Sequence, residues 1–365
     1  MNKATNAALM RLKNEKIILS LIYNSPVSRV DISNITGLTK AAVTIIVDDF
    51  KKRGIIREEQ SLSKSVGRNP VMLYLNSDAF FFAGVNISRS KITVGIVDIA
   101  GKVITNEEFA ICPPDEAYIK IAASIKKQIE KSNIPIEKIH KISVVTPGPV
   151  DTSDGRILNP PNFSLWHNEC VAKKLSHLTS MEVILQNVSS AVAIAENYFG
   201  LRNDAHSFLS LTVNEGIGSG IISHGVLFTG PCEIGHMSIQ FDGKKCECGN
   251  RGCLEQYAAI PNILENTPYR SWQEVVDNNC LDIMKKEAQY ISSAIISARN
   301  IFDFDKVFLC GDLTYKADSI VSLVEEQIKK RILANDNLEV CAGSVKSRYL
   351  VAASVGIYDL FKQLR

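Results

Sequence analysis

Apolar residues at Ile17, Ile18, Leu21 and Ile22 share one helical face, which predicts an amphipathic helix ending near Asn24-Ser25-Pro26. A second helix is expected from Ser28, its N-cap, with Asp31 three residues on to complete a capping box, and it ends at the turn Thr36-Gly37. Thr39 caps a third helix, in which Val43, Ile46, Val47 and Phe50 fall at i, i+3, i+4 and i+7 before Lys51-Lys52-Arg53-Gly54 closes it. Two β-like runs follow, IIREE and VMLYLN, and the segment QSLSKSVGRNP between them predicts a hairpin with a flexible basic tip.

The texture changes at Phe80. FFAGVNISRSKITVGIVDIAGKVI reads as two Val- and Ile-rich strands turned at Arg89-Ser90. A helix over roughly 115–132, the strand KISVVT, the turn PGPVD, the strand VILQN and the helix SSAVAIAENYFG come next. FLSLTVNEGIGSGIISHGVLF then repeats the theme of strand, glycine turn and strand. A helix over about 283–301, the strand KVFLCG, a helix, the strand LEVCAG and a last helix complete the chain. Two halves that each open on a hairpin and continue as alternating strands and helices predict an α/β protein with a duplicated core and a ligand cleft between the halves. Gly216-Ile217-Gly218-Ser219-Gly220 either cradles a phosphate with its N–H groups or simply permits a tight turn.

Charge sharpens the division. Residues 1–80 hold 12 Lys+Arg against 7 Asp+Glu, whereas the remainder holds 29 against 32. A basic N-terminal segment on a mildly acidic body suggests a nucleic-acid module joined to something else. Helix, Gly-containing turn and helix form the helix-turn-helix layout, whose second helix enters the major groove. Ser28, Arg29, Thr39, Lys40, Ala41 and Thr44 are the residues expected at the DNA, with Arg68 on the hairpin tip reaching a phosphate or a minor groove. The alternative for the same unit is a helical protein-interaction module. The composition, 45% hydrophobic and 22% charged, is that of a globular protein, and no apolar run of membrane-spanning length occurs. Nine cysteines without an export signal fit a reduced cytoplasm.

The densest chemistry lies in EIGHMSIQFDGKKCECGNRGCLEQY, residues 233–257. His236, Cys246, Cys248 and Cys253 have the types and spacing of a four-ligand structural zinc site, which leaves no open position for metal catalysis. The alternative is three free thiols on a loop. Glu233 and Glu255 need not bind the metal: Glu255 is either a helix-end charge or, with Glu233, a carboxylate aimed by the metal loop at a hydroxylated ligand.

EIGH followed by CECGNRGCLE resembles the signature of the ROK family, which contains bacterial sugar kinases and sugar-responsive repressors. PGPVD at 147–151, the segment from Asn162 to Trp166 and the glycine turn match further family positions, as do ITGLTK and GRNP in the part that the kinases lack. The resemblance covers essentially the whole chain and is to the xylose-repressor and N-acetylglucosamine-repressor type. It implies a winged helix-turn-helix over 1–76 followed by a two-lobed actin-like (ribonuclease H-like) ROK domain over 77–365, with lobes at about 77–185 and 186–345 and a C-terminal helix over 346–365. It implies zinc at His236, Cys246, Cys248 and Cys253, and a sugar against Asn162, Asn187, Glu233, His236 and Glu255.

The sequence departs from the kinase pattern at three places. Family kinases carry an Asn-Asp pair whose aspartate takes the proton of the sugar hydroxyl; here the pair is Asn187-Val188, and valine accepts no proton. The first phosphate motif reads Asn86-Ile87-Ser88-Arg89-Ser90, without the acidic residue and both glycines of D-x-G-G-T. Glu215 in the second would repel a nucleotide phosphate. The expectation is a regulator without kinase activity. It would bind double-stranded operator DNA as a homodimer or homotetramer, have no membrane association, and respond to a monosaccharide such as xylose, a glucose-type sugar or an amino sugar. A regulator controlled by a protein partner through a vestigial pocket, and a sugar kinase with an accessory domain, are the alternatives.

Overall fold

The computed structural model describes residues 3–60, 71–200, 207–333 and 338–363. Its N-terminal part consists of helices α1 (Lys3–Asn24), α2 (Arg29–Thr36) and α3 (Lys40–Lys52) and strands β1 (Val27–Ser28), β2 (Ile56–Gln60) and β3 (Val71–Leu75), the strands lying in the order β1-β3-β2. The capping box forms as expected, with Ser28 Oγ donating to Asp31 Oδ2 at 2.6 Å and accepting from the Asp31 N–H at 3.2 Å. Gly37 ends α2 in the left-handed conformation, and Thr39 accepts from the Ala42 N–H to start α3. The buried face of α1 centres on Ile18, Leu19 and Ile22, whereas Ile17 and Leu21 are half-buried, a small rotation from the face read in the sequence. The hairpin tip with Arg68 lies outside the described residues.

A first five-stranded sheet comprises β4 (Phe81–Ile87), β5 (Lys91–Asp98), β6 (Val103–Ala110), β7 (Ile139–Thr146) and, beyond the small ribbon of β8 (Val150–Asp151) and β9 (Arg156–Ile157), β10 (Val183–Asn187). Its order is β10-β7-β4-β5-β6. Helices α4 (Pro114–Ser132) and α5 (Val171–Thr179) belong to the same half, and α6 (Val188–Phe199) leaves it. The second sheet holds β11 (Phe208–Val213), β12 (Ile217–Ser223), β13 (Val226–Leu227), β14 (Lys306–Gly311) and β15 (Glu339–Ala342), in the order β13-β12-β11-β14-β15. In each sheet the first three strands form an antiparallel meander and the last two add in parallel beside the first, so the duplication holds strand by strand. Short helices α7 (Glu255–Ala258), α8 (Ile260–Ile263) and α9 (Trp272–Asp277) precede α10 (Leu281–Arg299) and α11 (Asp318–Lys329), and α12 (Arg348–Gln363) ends the described chain.

Helix α12 does not stay with the second half. It returns to β4, β5 and β7 of the first sheet and packs on α6. Its buried Lys141 anchor on β7 is 1% exposed and donates to Asp359 of α12 at 2.5 Å and to Glu182 at 2.8 Å. Ala353, Ile357, Leu360 and Phe361 of α12 share one core with Ile18, Ile22, Val43, Val47 and Leu73 of the N-terminal part. Tyr23 adds a second tie, donating to the Ala100 carbonyl at 2.6 Å and meeting the Phe199 ring edge-on at 5.1 Å. No described helix is long and apolar enough to cross a membrane.

Candidate functional site

The outer face of α3 is set by its caps and its buried stripe. With Val43, Ile46, Val47 and Phe50 inward, Lys40, Ala41 and Thr44 are exposed, and Thr39 lies at the helix start with its hydroxyl engaged as cap. Lys40 has no ion pair among the described residues. Ser28 and Arg29 are placed differently from the sequence expectation. Ser28 is buried with its hydroxyl in the capping box, and the Arg29 guanidinium bridges Asp48 at 2.7 Å and Glu58 at 2.6 Å. Ser28 caps α2 and Arg29 ties it to α3 and β2, because each finds its polar partners within the module.

A cleft of about 490 Å³ opens where strands β7, β10, β11 and β14 end, the usual position for ligands in open α/β sheets. Asn187, Glu233, His236 and Glu255 all line it, as do Val188 and Glu215. The Asn187 side chain caps α6 by accepting from the Ser189 N–H at 2.9 Å. Burial pushes the Glu233 carboxyl above the usual carboxylate range; His236 pulls it down and the charge on Glu255 pushes it up further. Glu255 Oε2 accepts from the Ile217 N–H at 2.8 Å, so a carboxylate already occupies the glycine turn. The glycines themselves make room for α6: a side chain at Gly218 would lie 1.9 Å from Ser189 Oγ. Asn162 is the exception among the expected sugar residues, since it does not line the cleft and its amide, oriented nitrogen outward, donates to Glu247 at 3.1 Å.

Sequence reasoning did not reach several cleft residues. Arg89 stands at the degenerate first motif, with Nη2 donating to the Pro161 carbonyl at 3.0 Å and a buried Nε without a partner. Val345, Lys346, Arg348 and Val351 enter from the chain before and within α12. The fully buried Glu196 of α6 holds that segment by accepting from the Val345 N–H at 2.7 Å and from Ser344 Oγ at 3.2 Å. Arg89 had a local signal, as a departure from a motif. The others depend on a chain return that no short-range pattern encodes.

His236, Cys246, Cys248 and Cys253 converge, with their donor atoms all within 4.8 Å of one another. Cys248 Sγ and Cys253 Sγ are 3.7 Å apart, and Cys246 Sγ is 3.6 Å from His236 Nδ1. A tetrahedral ion with metal–sulfur bonds near 2.3 Å and a metal–nitrogen bond near 2.0 Å requires edges of about 3.8 and about 3.5 Å, so the donor set fits such an ion. The loop is shaped by its backbone: the Cys246 N–H bonds the Asn250 carbonyl, the Ile239 N–H bonds the Gly252 carbonyl, and Gly252 has φ 66°. A Cβ there would sit 1.6 Å from the Gln240 carbonyl oxygen, so only glycine fits. Burial and the neighbouring thiols push the Cys253 thiol up, and a divalent ion held by the cluster would act in the opposite direction.

The model of the ROK family matches residues 82–363. The DNA-binding transcriptional dual regulator NagC of Escherichia coli K12 is 25% identical, over 98% of this chain and 94% of its own. The xylose repressor of Bacillus subtilis 168 is 26% identical over 87% of each chain. A crystal structure of a ROK family transcriptional regulator, a homologue of the E. coli MLC protein, has a TM-score of 0.76 at 22% identity and covers 97% of this chain and 98% of that one. The ROK hexokinase of Thermus thermophilus has a TM-score of 0.67 at 21% identity, covering 78% of this chain and 100% of its own.

Proposed function

This chain belongs to the ROK family, and from that we propose that it is a DNA-binding transcriptional repressor whose hold on its operator is set by a sugar in the cleft. One observation carries the reading. Helix α12 lines the cleft with Arg348 and Val351 near its start and enters the core beneath the helix-turn-helix with Ile357, Leu360 and Phe361 near its end. A ligand that moves the first part of a packed helix acts on the last, and DNA and sugar affinities are then linked reciprocally. Relatives named as a DNA-binding transcriptional dual regulator and as a repressor, matched over 98% and 87% of this chain, support the same function.

Thr39, Lys40, Ala41 and Thr44 meet the DNA in this reading, with Arg68 on the hairpin tip, while Ser28 and Arg29 hold α2 in place. Asn187, Glu233, His236 and Glu255 bind the sugar, and Asn162 joins them on leaving Glu247. A two-fold operator calls for at least a dimer. The same cleft does not phosphorylate the sugar. Val188 stands where a general base is needed, and Glu215 and Glu255 put negative charge at the glycine turn. Zinc is the structural ion of the four-donor cluster, and it fixes the loop from which His236 and, two residues after Cys253, Glu255 reach the cleft.

Fluorescence anisotropy on DNA from the protein's own promoter, titrated with pentoses, hexoses, amino sugars and sugar phosphates, tests the proposal. One sugar should weaken binding tenfold or more, about 1.4 kcal/mol of coupling. Glu233→Ala should leave DNA affinity within about twofold and shift the half-release sugar concentration upward by roughly tenfold or more, the loss of a charge-assisted hydrogen bond. Tight DNA binding that no sugar moves would transfer control to a protein partner.

A further inference from the structure

We propose that Ile45 reads the methyl group of a thymine in the major groove, which makes it a specificity-determining residue of the helix-turn-helix. The inference rests on the DNA-binding reading above. The exposed positions of α3 are Lys40, Ala41, Thr44, Ile45, Asp48, Lys51 and Lys52. Asp48 is paired with Arg29 and Lys51 with Glu58, which leaves a central face of two small methyl-bearing residues and one isoleucine, with Lys40 and Lys52 at its two ends. Ile45 is 62% exposed, although its neighbours Ile46 and Val47 are buried at 4% and 0%.

A lone exposed isoleucine on a surface is ordinary. This one occupies the second turn of the helix expected in the groove, at the centre of its outward face, where a long polar side chain would otherwise make bidentate bonds to a purine. Nothing on the face offers such a fork: Ala41 has no polar group, and Thr44 has a single hydroxyl. The complementary chemistry in the major groove is the thymine C5-methyl, which apolar side chains contact. Against a G·C edge the same isoleucine would cover the N7, O6 and N4 groups without giving them a partner, a penalty that acts in the same direction. β-Branching holds the side chain in essentially one rotamer on a helix, so the contact is made with little loss of freedom.

The test uses the full-length, metal-loaded protein. A duplex bound with sequence preference is selected from a random pool. Each thymine of that duplex is then replaced in turn by deoxyuridine, which removes only the methyl group. Anisotropy at fixed salt should show one thymine per half-site whose replacement weakens binding roughly fourfold, the factor for one buried methyl. Ile45→Ala should weaken binding to the parent duplex by at least as much and be indifferent to deoxyuridine at that position. Ile45→Ala retains the fold because the side chain is exposed and alanine favours the helix. Lys40→Ala, by contrast, should weaken all duplexes alike and keep the deoxyuridine effect. If no thymine shows the effect, or if Ile45→Ala keeps it in full, the assignment to Ile45 is wrong while DNA binding stands. If the pool yields no preferred sequence, the DNA-binding reading falls first and this inference with it.

Discussion

Cys253→Ser should release the metal ion and lower the thermal midpoint by roughly 4–7 °C, the shift expected for about 3–5 kcal/mol in a protein of this size. Cys253 is wholly buried, and its backbone pairs with Ser238 across the loop, so the lost ligand cannot be replaced by water without opening the loop. A serine hydroxyl is a poor substitute for a thiolate toward zinc. The loop from 237 to 254 would then lose the cross-link that offsets the entropy of ordering it. Glu255 follows directly, and with it the bond to the Ile217 N–H that sets the edge of the cleft. The sugar response should therefore disappear together with the zinc. Metal content by mass spectrometry, thermal unfolding and the anisotropy titration on one preparation check all three. A variant with one full zinc equivalent and an unchanged midpoint would remove Cys253 from the ligand set. A variant that loses zinc but keeps full sugar release would refute the coupling. Cys112→Ser, at a half-buried thiol outside the cluster, is the control and should leave all three unchanged.

Phe361→Ala should cost about 3–5 kcal/mol of local packing, the usual penalty for deleting a buried aromatic ring. The ring is 3% exposed, lies 5.4 Å from that of Tyr198, and belongs to the core that joins α12 to the helix-turn-helix. The part of the structure that loosens should be this junction, because the cleft residues of α12 lie turns away at its other end. DNA affinity should fall by more than tenfold, while sugar affinity measured by calorimetry stays within about threefold. Phe361→Leu, which keeps most of the volume, should restore most of the DNA affinity. Equal losses of both affinities would mean that α12 is a general prop of the fold, and unchanged DNA affinity would show that the module stands without it.

Local features were readable from the chain to the residue. The capping box of Ser28 and Asp31, the Thr39 cap and the left-handed Gly37 depend on hydrogen bonds and backbone angles within a few residues. The three cysteines with His236 were readable for a related reason, since a turn brings closely spaced ligands together almost wherever it sits. The duplication also survived, but the hairpin expected at the head of each half is a three-strand meander, with β6 and β13 as strands the sequence reading did not separate.

Whatever depends on partners distant in the chain was decided by the tertiary structure. Arg29 was expected at the DNA, and the fold pairs its guanidinium with Glu58 of β2. Asn162, which the family resemblance sets against a sugar, has its amide held by Glu247 of the cysteine loop, a partner no local pattern announces. The face of α1 turned slightly because burial follows the surface it meets, not the densest run of isoleucines. The return of α12 had no counterpart in any motif. Its apolar stripe announces a buried helix but not which surfaces will cover it. Periodicity and capping are short-range and favour one local geometry, whereas the choice of packing partner comes from non-directional burial summed over the whole fold. The amino-acid order specified the parts and the cysteine loop; packing alone joined the cleft to the helix-turn-helix through one helix.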